Sequence, residues 1–321
     1  MSSLDRLVVV VGPTASGKSA LAVDLALALA GEVVNADAVQ LFRGMDVGSA
    51  KVTEAERRGV PHHLLDVLDV HQATSVAAYQ REARAVVDDC LARGVTPVLV
   101  GGSSLYVRAV VDDFDFPGTD PAVRDRYLRR LEAEGAEALH AELARVAPEA
   151  ARHVLPSNGR RVARALEVTE ITGRPFRATL PPFRSVYPHV TLLGLDVPRP
   201  VLDERITRRV DAMWRDGIVD EVRSLLDAGL ADSPTASRSI GYQQVLALLR
   251  GELTDEEARA ETVRGTRAFA RRQDRMFHQD PRVHWLPHDT DDLLEQALAV
   301  LEAQEGDEAR ADAGETSGPR P

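Results

Sequence analysis

The fold is decided by the stretch Leu7-Val-Val-Val-Val-Gly-Pro-Thr-Ala-Ser-Gly-Lys-Ser19, in which an apolar run leads into a glycine-rich motif. The apolar run is typical of a strand that is buried on both faces of a parallel sheet. The motif fits G-x-x-x-x-G-K-[ST], and the strong helix formers of residues 20–30 follow it. A strand, this loop and a helix together predict a P-loop, whose backbone amides and helix N-terminus hold phosphate groups.

The alternation of strands and helices continues beyond the motif. Gly31 is placed to end the first helix, and residues 32–36 and 97–102 are typical of a second and a third buried strand. Residues 75–93 between them have a helical pattern that stops at Gly94. The sequence therefore predicts an α/β fold, with a P-loop NTPase-like parallel sheet flanked by helices.

The composition changes after Val111, where a mostly helical segment begins. Asp120-Pro121 is typical of a helix start, residues 190–197 return to a strand pattern, and the pattern after Pro198 is helical. We therefore expect a helical insertion domain within a P-loop core, followed by a C-terminal helix and an acidic disordered tail. The expected bounds are 1–111 and 188–287 for the core, 112–187 for the insertion and 288–321 for the C-terminal part.

Charge and cysteine content limit the class of protein. The net charge is −11, but ten acidic and two basic residues beyond position 287 account for −8 of it, so the body is near −3 and carries dense arginine clusters. The single cysteine, Cys90, excludes a disulfide framework and is expected to be a core residue. With no signal peptide and no apolar run long enough for a membrane helix, we expect a cytoplasmic protein. No dimerising heptads are visible, so we expect a monomer.

The carboxylate that usually completes an ATPase site is missing. Such enzymes hold Mg²⁺ with a second acid at the end of a later strand, but the strand at 98–100 ends in Gly101-Gly102-Ser103-Ser104. Ordinary ATPases and GTPases are therefore disfavoured, while a small-molecule or nucleoside kinase stays open. A non-catalytic RNA-binding protein switched by a nucleotide is a third alternative.

Asp37 follows the second strand and faces the P-loop, since ligands bind at the carboxyl ends of the strands in such sheets. Its carboxylate can act as a general base or as a Mg²⁺ ligand. It can equally act as a helix N-cap at a strand-to-loop junction. From spacing alone these two interpretations stay open.

Six motifs in order give a specific resemblance. They are GPTASGKS from Gly12, NADAVQLFRGMDVGSAK from Asn35, PHHLLD from Pro61, GGSSLY from Gly101, RRVARALEV from Arg160 and RSIGYQ from Arg238. With these the chain resembles the bacterial tRNA dimethylallyltransferase family from about residue 8 to Leu286. The resemblance implies transfer of a dimethylallyl (isopentenyl) group from dimethylallyl diphosphate to N6 of the adenosine 3′ of the anticodon in tRNA, with Mg²⁺ required.

The resemblance also implies roles for individual residues. Asp37 matches the general base, Lys18 the diphosphate ligand and Ser19 the residue on diphosphate and metal, while Ser103 stands where the family usually has threonine. Arg209 matches the arginine that clamps the diphosphate, with Arg205 as the alternative. Two further departures are Ser104 for glycine and Ala38 for serine. The diphosphate loop comprises Gly12, Pro13, Thr14, Ala15, Ser16, Gly17, Lys18 and Ser19.

The target adenine must be flipped out of a stacked loop, so contacts to the surrounding RNA have to offset the cost of unstacking. The arginines at 264, 267, 271 and 275 form one stripe of a helix, and a solvated face with ion pairs is the plain alternative. His62-His63 are expected to have a packing or hydrogen-bonding role, and Trp214 and Trp285 are expected to be core residues. The residues expected to contact tRNA are Asp37, Ala38, Val39, Gln40, Ser103, Arg124, Arg160, Arg161, Arg164, Arg238, Gly241, Tyr242, Gln243, Arg271, Arg272, Gln273 and Arg275.

Overall fold

A six-stranded parallel sheet forms the centre of the larger part of the molecule. The computed structural model describes residues 6–176 and 181–315. Within them the strand order is β3-β2-β4-β1-β5-β6, and every pair of neighbours is parallel. The strands are β1 (Arg6–Val11), β2 (Glu32–Asn35), β3 (His62–His63), β4 (Pro97–Gly101), β5 (His189–Asp196) and β6 (Val283–Pro287).

Helices connect the strands, and the fold predicted from the sequence is confirmed. Two single 3₁₀ turns, at Leu230–Asp232 and Ala236–Arg238, interrupt the later helices. The helices are α1 (Lys18–Ala28), α2 (Glu54–Arg57), α3 (Val76–Ala92), α4 (Ser104–Val111), α5 (Pro121–Glu134), α6 (Ala136–Val146), α7 (Pro148–His153), α8 (Gly159–Thr172), α9 (Arg199–Arg215), α10 (Ile218–Asp227), α11 (Tyr242–Leu249), α12 (Asp255–Phe277) and α13 (Leu293–Glu315).

Strand β1 is buried on both faces, because its side chains alternate between two apolar layers. Val9 and Val11 pack with residues of α3 and α4 on one face. Val8 and Val10 pack with residues of α1 and α13 on the other. The unbroken valine run is therefore what a central strand of a two-sided sheet requires.

The expectation of an all-helical pattern after Pro198 is wrong at β6. This strand pairs only with β5 and lies at the edge of the sheet. Val283 and Leu286 are buried, whereas His284 and Pro287 are exposed. A short edge strand of this kind lacks the β-branched run by which the central strands are recognised.

The chain divides into two compact units, one comprising Met1–Asp112 with Ser185–Pro321 and the other Asp113–Arg184. The second unit consists of α5 to α8 around its own apolar core, which includes Tyr127, Leu139, Leu143 and Leu166. Asp120 accepts hydrogen bonds from the amides of Ala122 and Val123 at the start of α5, as its sequence position predicts.

Helix α13 continues through residues that were expected to belong to a disordered tail. It runs to Glu315, because alanine and glutamate are strong helix formers. Residues 316–321 of the expected tail lie outside the described residues. Across the described part of the chain, none of the helices combines the length and apolar character needed to span a bilayer.

Candidate active site

Three loops meet at the carboxyl ends of β1, β2 and β4. They are the P-loop (Gly12–Ser19), the segment that begins at Asp37, and the turn at Gly101 and Gly102. Because β4 lies between β1 and β2, the sheet order itself brings these loops together. This is the edge at which parallel α/β sheets bind ligands.

The P-loop backbone is folded into an anion nest. Gly12, Ala15 and Gly17 all have positive φ angles, of 151°, 65° and 103°. Within the described residues, the amides of Ala15, Gly17, Lys18 and Ser19 donate no hydrogen bond. Free amides beside a helix N-terminus are suited to an anion such as a phosphate group.

Gln273 holds the P-loop from helix α12. Its side-chain oxygen accepts a hydrogen bond of 2.9 Å from the Thr14 amide, and the residue is 6% exposed. A Cβ on Gly102 would lie 2.4 Å from the Gln273 side-chain nitrogen. Gly102 is therefore required because the amide of Gln273 occupies the space beside it.

A cleft opens beside the P-loop. Lys18 lines it and donates to the Pro13 carbonyl at 3.3 Å. Burial and then the Arg209 charge lower the pKa of Lys18, the Asp37 charge opposes them, and the resulting pKa is about 8. The cleft is lined by Thr14, Lys18, Ser19, Val33, Asn35, Asp37, Gln40, Ala50, Val52, His62, Leu65, Val100, Gly101 and Arg209.

Asp37 is positioned so that neither of the two interpretations left open by its place in the sequence excludes the other. One carboxylate oxygen accepts a 2.9 Å hydrogen bond from the Val39 amide and stabilises the turn. The other oxygen has no hydrogen-bond partner among the described residues and belongs to a cleft-lining side chain. The backbone of Asp37 is fixed by Asn35, whose side chain bonds both its amide and its carbonyl. The carboxylate is thus oriented and retains one oxygen for chemistry.

The donor set in the cleft fits a hard cation. Ser19 and Asp37 offer a hydroxyl and a free carboxylate oxygen beside the anion nest, and oxygen ligands are those that Mg²⁺ prefers. Within the described chain, the buried hydroxyl of Ser16 also makes no hydrogen bond. These residues are therefore compatible with a metal-bound diphosphate.

Both candidate arginines of α9 reach the site, but in different ways. Arg209 lines the cleft and donates to the Ser49 carbonyl at 3.1 Å. Burial lowers its pKa, and the Asp37 charge opposes that shift. Arg205 instead donates to the Ser16 carbonyl at 3.1 Å. Arg209 is therefore the arginine exposed to the cleft, and Arg205 holds the P-loop.

Ser103 is half-buried at the start of α4 and makes no capping hydrogen bond with its side chain. In the same helix, Tyr106 lies close enough to Asp37 for the carboxylate charge to influence it. Burial and the Asp37 charge raise the pKa of Tyr106 to about 12. Its ring packs on Tyr79 with 4.5 Å between centroids, and the Tyr79 hydroxyl donates to the Asn35 carbonyl.

The arginine stripe of α12 has two different halves. Arg264 pairs with Glu261, and Arg267 bonds Thr207 and lies near Asp203. Farther along, Arg271, Arg272 and Arg275 are exposed. Their guanidinium groups have no carboxylate partner in the described part of the chain, although Arg272 lies over the Phe269 ring. The two halves therefore differ in whether a carboxylate lies beside the guanidinium groups.

Tyr242 does not stand where RNA can contact it. It is fully buried, and its hydroxyl donates to Glu221 at 2.7 Å. Gly241 is also buried, with φ of 93° at the start of α11. By contrast, Arg238 and Gln243 are exposed. Of this motif, only the latter two side chains are accessible, and the expectation for Tyr242 is corrected because its ring belongs to an apolar cluster.

The arginines of the second unit are partly occupied. Arg124 and Arg164 both pair with the carboxylate of Glu167, which is fully buried. Arg164 also donates to the carbonyls of Pro117 and Gly118. Arg160 and Arg161 are exposed, and Arg161 lies over the Phe176 ring. Arg124 and Arg164 therefore neutralise a buried acid in addition to any contact with RNA.

Ala38, Val39 and Gln40, which are among the residues expected to contact tRNA, are half-buried. Gln40 also lines the cleft and donates to the Ser49 carbonyl. His63 has the hydrogen-bonding role that was one of the two expected, since its Nε2 lies 2.7 Å from a carboxylate oxygen of Glu32. Cys90 is buried beside the same carboxylate, and burial raises its thiol pKa to about 11, which makes it a poor nucleophile.

Sequence reasoning missed Gln273 as a P-loop contact and missed Glu221 altogether. Glu221 accepts hydrogen bonds from the amides of Asp46, Val47 and Gly48. No local pattern signals such a contact, because the partners are about 170 residues apart in the chain.

Residues 40–280 match the family model described as IPP transferase. The tRNA dimethylallyltransferase of Thermobifida fusca is 60% identical over 303 residues, with coverage of 93% of this chain and 95% of that protein. The protein of the same name from Streptomyces avermitilis is 62% identical over 296 residues, with coverage of 92% and 95%.

Two solved structures are similar in fold. The full-length tRNA isopentenylpyrophosphate transferase of Bacillus halodurans has a TM-score of 0.72 at 36% identity and covers 97% of this chain and 100% of its own. A eukaryotic dimethylallyltransferase acting on tRNA has a TM-score of 0.75 at 23% identity, with coverage of 92% and 77%, which shows a common fold. The family match and the identities agree, and the chain belongs to the IPP transferase family.

Proposed function

We propose that this protein transfers a dimethylallyl group from dimethylallyl diphosphate to N6 of the adenosine 3′ of the anticodon in tRNA. The observation that carries the proposal is the shared cleft, which joins an anion nest with Lys18 and Arg209 to the free carboxylate oxygen of Asp37. The cations suit a diphosphate leaving group, and the carboxylate suits a proton acceptor. The membership of the chain in the IPP transferase family supports the same reaction.

In the reaction, the bond between the donor carbon C1 and the diphosphate oxygen breaks, and its electron pair leaves with diphosphate. The P-loop amides, Lys18 and Arg209 stabilise the negative charge that develops there. Mg²⁺ held by Ser19, when bound, adds further neutralisation of the diphosphate. A site that fixes these groups in advance needs no reorganisation as the charge forms.

At the acceptor, the lone pair of N6 forms the new bond to C1, and a proton of N6 passes to Asp37. An exocyclic amine is a weak nucleophile because its lone pair is delocalised into the ring. Removal of its proton by a positioned base contributes on the order of 10²–10⁴-fold. The hydrogen bond from Val39 holds the carboxylate in place, so that one oxygen orients and the other reacts.

For tRNA binding, we propose that phosphates of the RNA contact the exposed arginines Arg271, Arg272 and Arg275 of α12, and Arg238. The second unit adds Arg160 and Arg161. We further propose that the protein works as a monomer in the cytoplasm. Its mass by size-exclusion chromatography with light scattering should be that of one 34.9 kDa chain.

The kinase alternative has less support. Asp37, after β2, is the carboxylate among the described residues that line the cleft, and β4 ends in Gly101 and Gly102 without one. The relatives that match over more than 90% of the chain are named as transferases of a prenyl group. The hypothesis that the protein is a kinase is therefore supported by the P-loop alone.

The test is incubation with unmodified tRNA, Mg²⁺ and radiolabelled dimethylallyl diphosphate, followed by counting of label in RNA. Asp37→Asn is the sharpest variant, because asparagine keeps an oxygen for the Val39 amide and removes the base. Transfer should fall by at least about 100-fold, with tRNA affinity unchanged. Asp216→Asn, on an exposed acid paired with Arg215, is the matched control. An absence of label with the wild-type protein, together with phosphate release from ATP, would favour the kinase.

A further inference from the structure

The loop of residues 46–51, called here the 46–51 loop, is held at one end by a single carboxylate. Glu221 of α10 accepts hydrogen bonds from three consecutive amides, those of Asp46 at 2.9 Å, Val47 at 2.6 Å and Gly48 at 3.1 Å. Hydrogen bonds to an ionised carboxylate are stronger than hydrogen bonds between neutral groups. The carboxylate therefore fixes the backbone path of the loop at this end.

Glu221 and Tyr242 together form what is called here the clamp. Tyr242 lies in α11. Its hydroxyl donates to the same carboxylate at 2.7 Å. A Cβ on Gly48 would lie 2.6 Å from the Tyr242 ring, so the loop packs on this ring with no space for a side chain. Burial first, and then the Glu221 charge, raise the pKa of Tyr242 well above its ordinary value, and the phenol therefore stays a hydrogen-bond donor.

The other end of the 46–51 loop is anchored by Lys51. Its ammonium group is nearly buried, donates to the Phe42 carbonyl at 2.9 Å and pairs with Asp46 and Asp66 at 2.5 Å. Ala50, just before it, has a positive φ of 45°. An alanine keeps such a conformation only where its surroundings impose it.

Between these two anchors lies the carbonyl of Ser49, which faces the catalytic cleft. It accepts hydrogen bonds from Arg209 at 3.1 Å and from Gln40 at 3.3 Å. Among the described residues, this is the hydrogen bond that orients the Arg209 guanidinium. Arg209 and Gln40 both line the cleft with Lys18 and Asp37.

We propose that Glu221 is a positioning residue that, through the 46–51 loop and the Ser49 carbonyl, aims Arg209 at the diphosphate of the prenyl donor. The inference rests on the proposed function, in which Arg209 binds that diphosphate. Glu221 itself does not line the cleft, and it acts through backbone atoms only. Loss of its charge weakens three amide bonds at once, the loop shifts, and Arg209 loses the acceptor that sets its direction.

The first test measures the affinity for inorganic diphosphate, by calorimetry in the presence of Mg²⁺, and the KM for dimethylallyl diphosphate. Glu221→Gln should weaken both by about 10-fold, the order expected when charge-assisted hydrogen bonds become neutral ones. The affinity for tRNA should not change. The matched control is Asp220→Asn, which neutralises the neighbouring acid of the same helix, 81% exposed and paired with Arg223.

A role in stability alone is distinguished by a double-mutant cycle with Arg209→Ala. If Glu221 acts through Arg209, Glu221→Gln should weaken diphosphate binding in the wild-type background and have little effect in the Arg209→Ala background. Equal losses in both backgrounds would overturn the proposal. So would a lower melting temperature with unchanged diphosphate affinity.

Tyr242→Phe provides a second route if Glu221→Gln folds poorly. It removes one donor to the carboxylate and keeps the ring against Gly48, so a weakening of diphosphate binding in the same direction but smaller, about 3-fold, is expected. Wild-type affinity in this variant, with a well-folded protein, would count against the clamp. Because diphosphate binding is measured without RNA, failure of this inference is separable from failure of wild-type transfer to tRNA.

Discussion

The side-chain oxygen of Gln273 lies 2.9 Å from the backbone nitrogen of Thr14, so helix α12 is bonded directly to the P-loop. The same helix presents Arg271, Arg272 and Arg275 to solvent, on the sides that face away from the buried Gln273. One side of α12 therefore contacts the P-loop while its exposed side carries the arginines that are proposed to bind RNA phosphates.

Gln273→Ala should weaken binding of inorganic diphosphate by about 10-fold. The change leaves the partly buried Thr14 amide without its acceptor, a loss of roughly 1 kcal/mol, and the loop is expected to relax away from its binding geometry. Calorimetric titration with diphosphate and Mg²⁺ measures the effect.

The control for this change is Gln279→Ala, at an exposed glutamine just beyond the end of α12. It should leave diphosphate affinity within about 2-fold of wild type. An equal loss in both variants would mean that the effect comes from general weakening of the helix end and not from the bond to Thr14.

The sequence predicted the elements whose signals are local. The valine run of β1, the P-loop and the Asp120 cap are each specified by residues adjacent in the chain, and all three form as expected. The position of Asp37 opposite the P-loop followed from the rule that parallel strands end at one edge. Sequence reasoning left its two roles open, and in the structure one carboxylate oxygen accepts the Val39 amide while the other stays available for the proposed base.

The remaining features depend on contacts between distant residues, for which one sequence carries no signal. Tyr242 belongs to an expected RNA-contacting motif but is buried, because Gly48 and Glu221 surround it. Strand β6 is stabilised by one neighbour and has no run of branched residues. The pairing of Arg264 and Arg267, and the freedom of Arg271, depend on which acids the fold brings close.

The difference between the two halves of the arginine stripe predicts a difference in salt dependence. Arg271→Ala and Arg275→Ala should each weaken tRNA binding and reduce the slope of log K against log salt by about 0.7–0.9, since each removes one phosphate contact. Filter binding at several salt concentrations measures the slope.

Arg264→Ala is the matched control on the same helix, because Arg264 is paired with Glu261. Its slope should stay close to that of the wild type. Slopes that fall equally for all three variants would show that the ion pair does not prevent Arg264 from binding phosphate, and would contradict the division of the stripe.

Acid stability should depend on Glu32. Its hydrogen bonds from Arg93, followed by those from His63 and Cys90 and opposed by burial, lower the carboxyl pKa to about 2 from 4.5. The stabilisation is therefore present above about pH 4.5 and is lost as the pH falls towards 2.

Arg93→Gln should lower the free energy of unfolding at pH 6 and lower it less at pH 3, because the arginine bonds the ionised Glu32 carboxylate. Urea unfolding at the two pH values measures this. Arg250→Gln, which breaks an exposed pair with Glu252, should leave both values close to those of the wild type. A pH-independent loss in Arg93→Gln would argue against the carboxyl shift.

Lys18 predicts two pH effects of opposite sign. Burial, and then the Arg209 charge, lower its pKa from 10.5 to about 8, so the ammonium group loses its proton in the free protein as the pH rises through about 8. Diphosphate affinity should fall above that pH, because a positive charge in the nest is lost. The ratio of the wild-type affinity to that of Lys18→Arg, measured from pH 6.5 to 9.5, cancels the titration of diphosphate itself and should decrease above about pH 8.

Stability of the free protein should move the other way. Between about pH 8 and 10.5 the unfolded chain holds a proton on Lys18 that the folded chain has released, so this residue makes the free energy of unfolding rise with pH in that window. In Lys18→Met the rise should be absent, which urea unfolding at pH 8 and 10 detects as a smaller difference than in the wild type. A diphosphate affinity ratio that stays constant through pH 9.5, together with equal pH dependence of stability in wild type and Lys18→Met, would show that Lys18 keeps its proton in the free cleft.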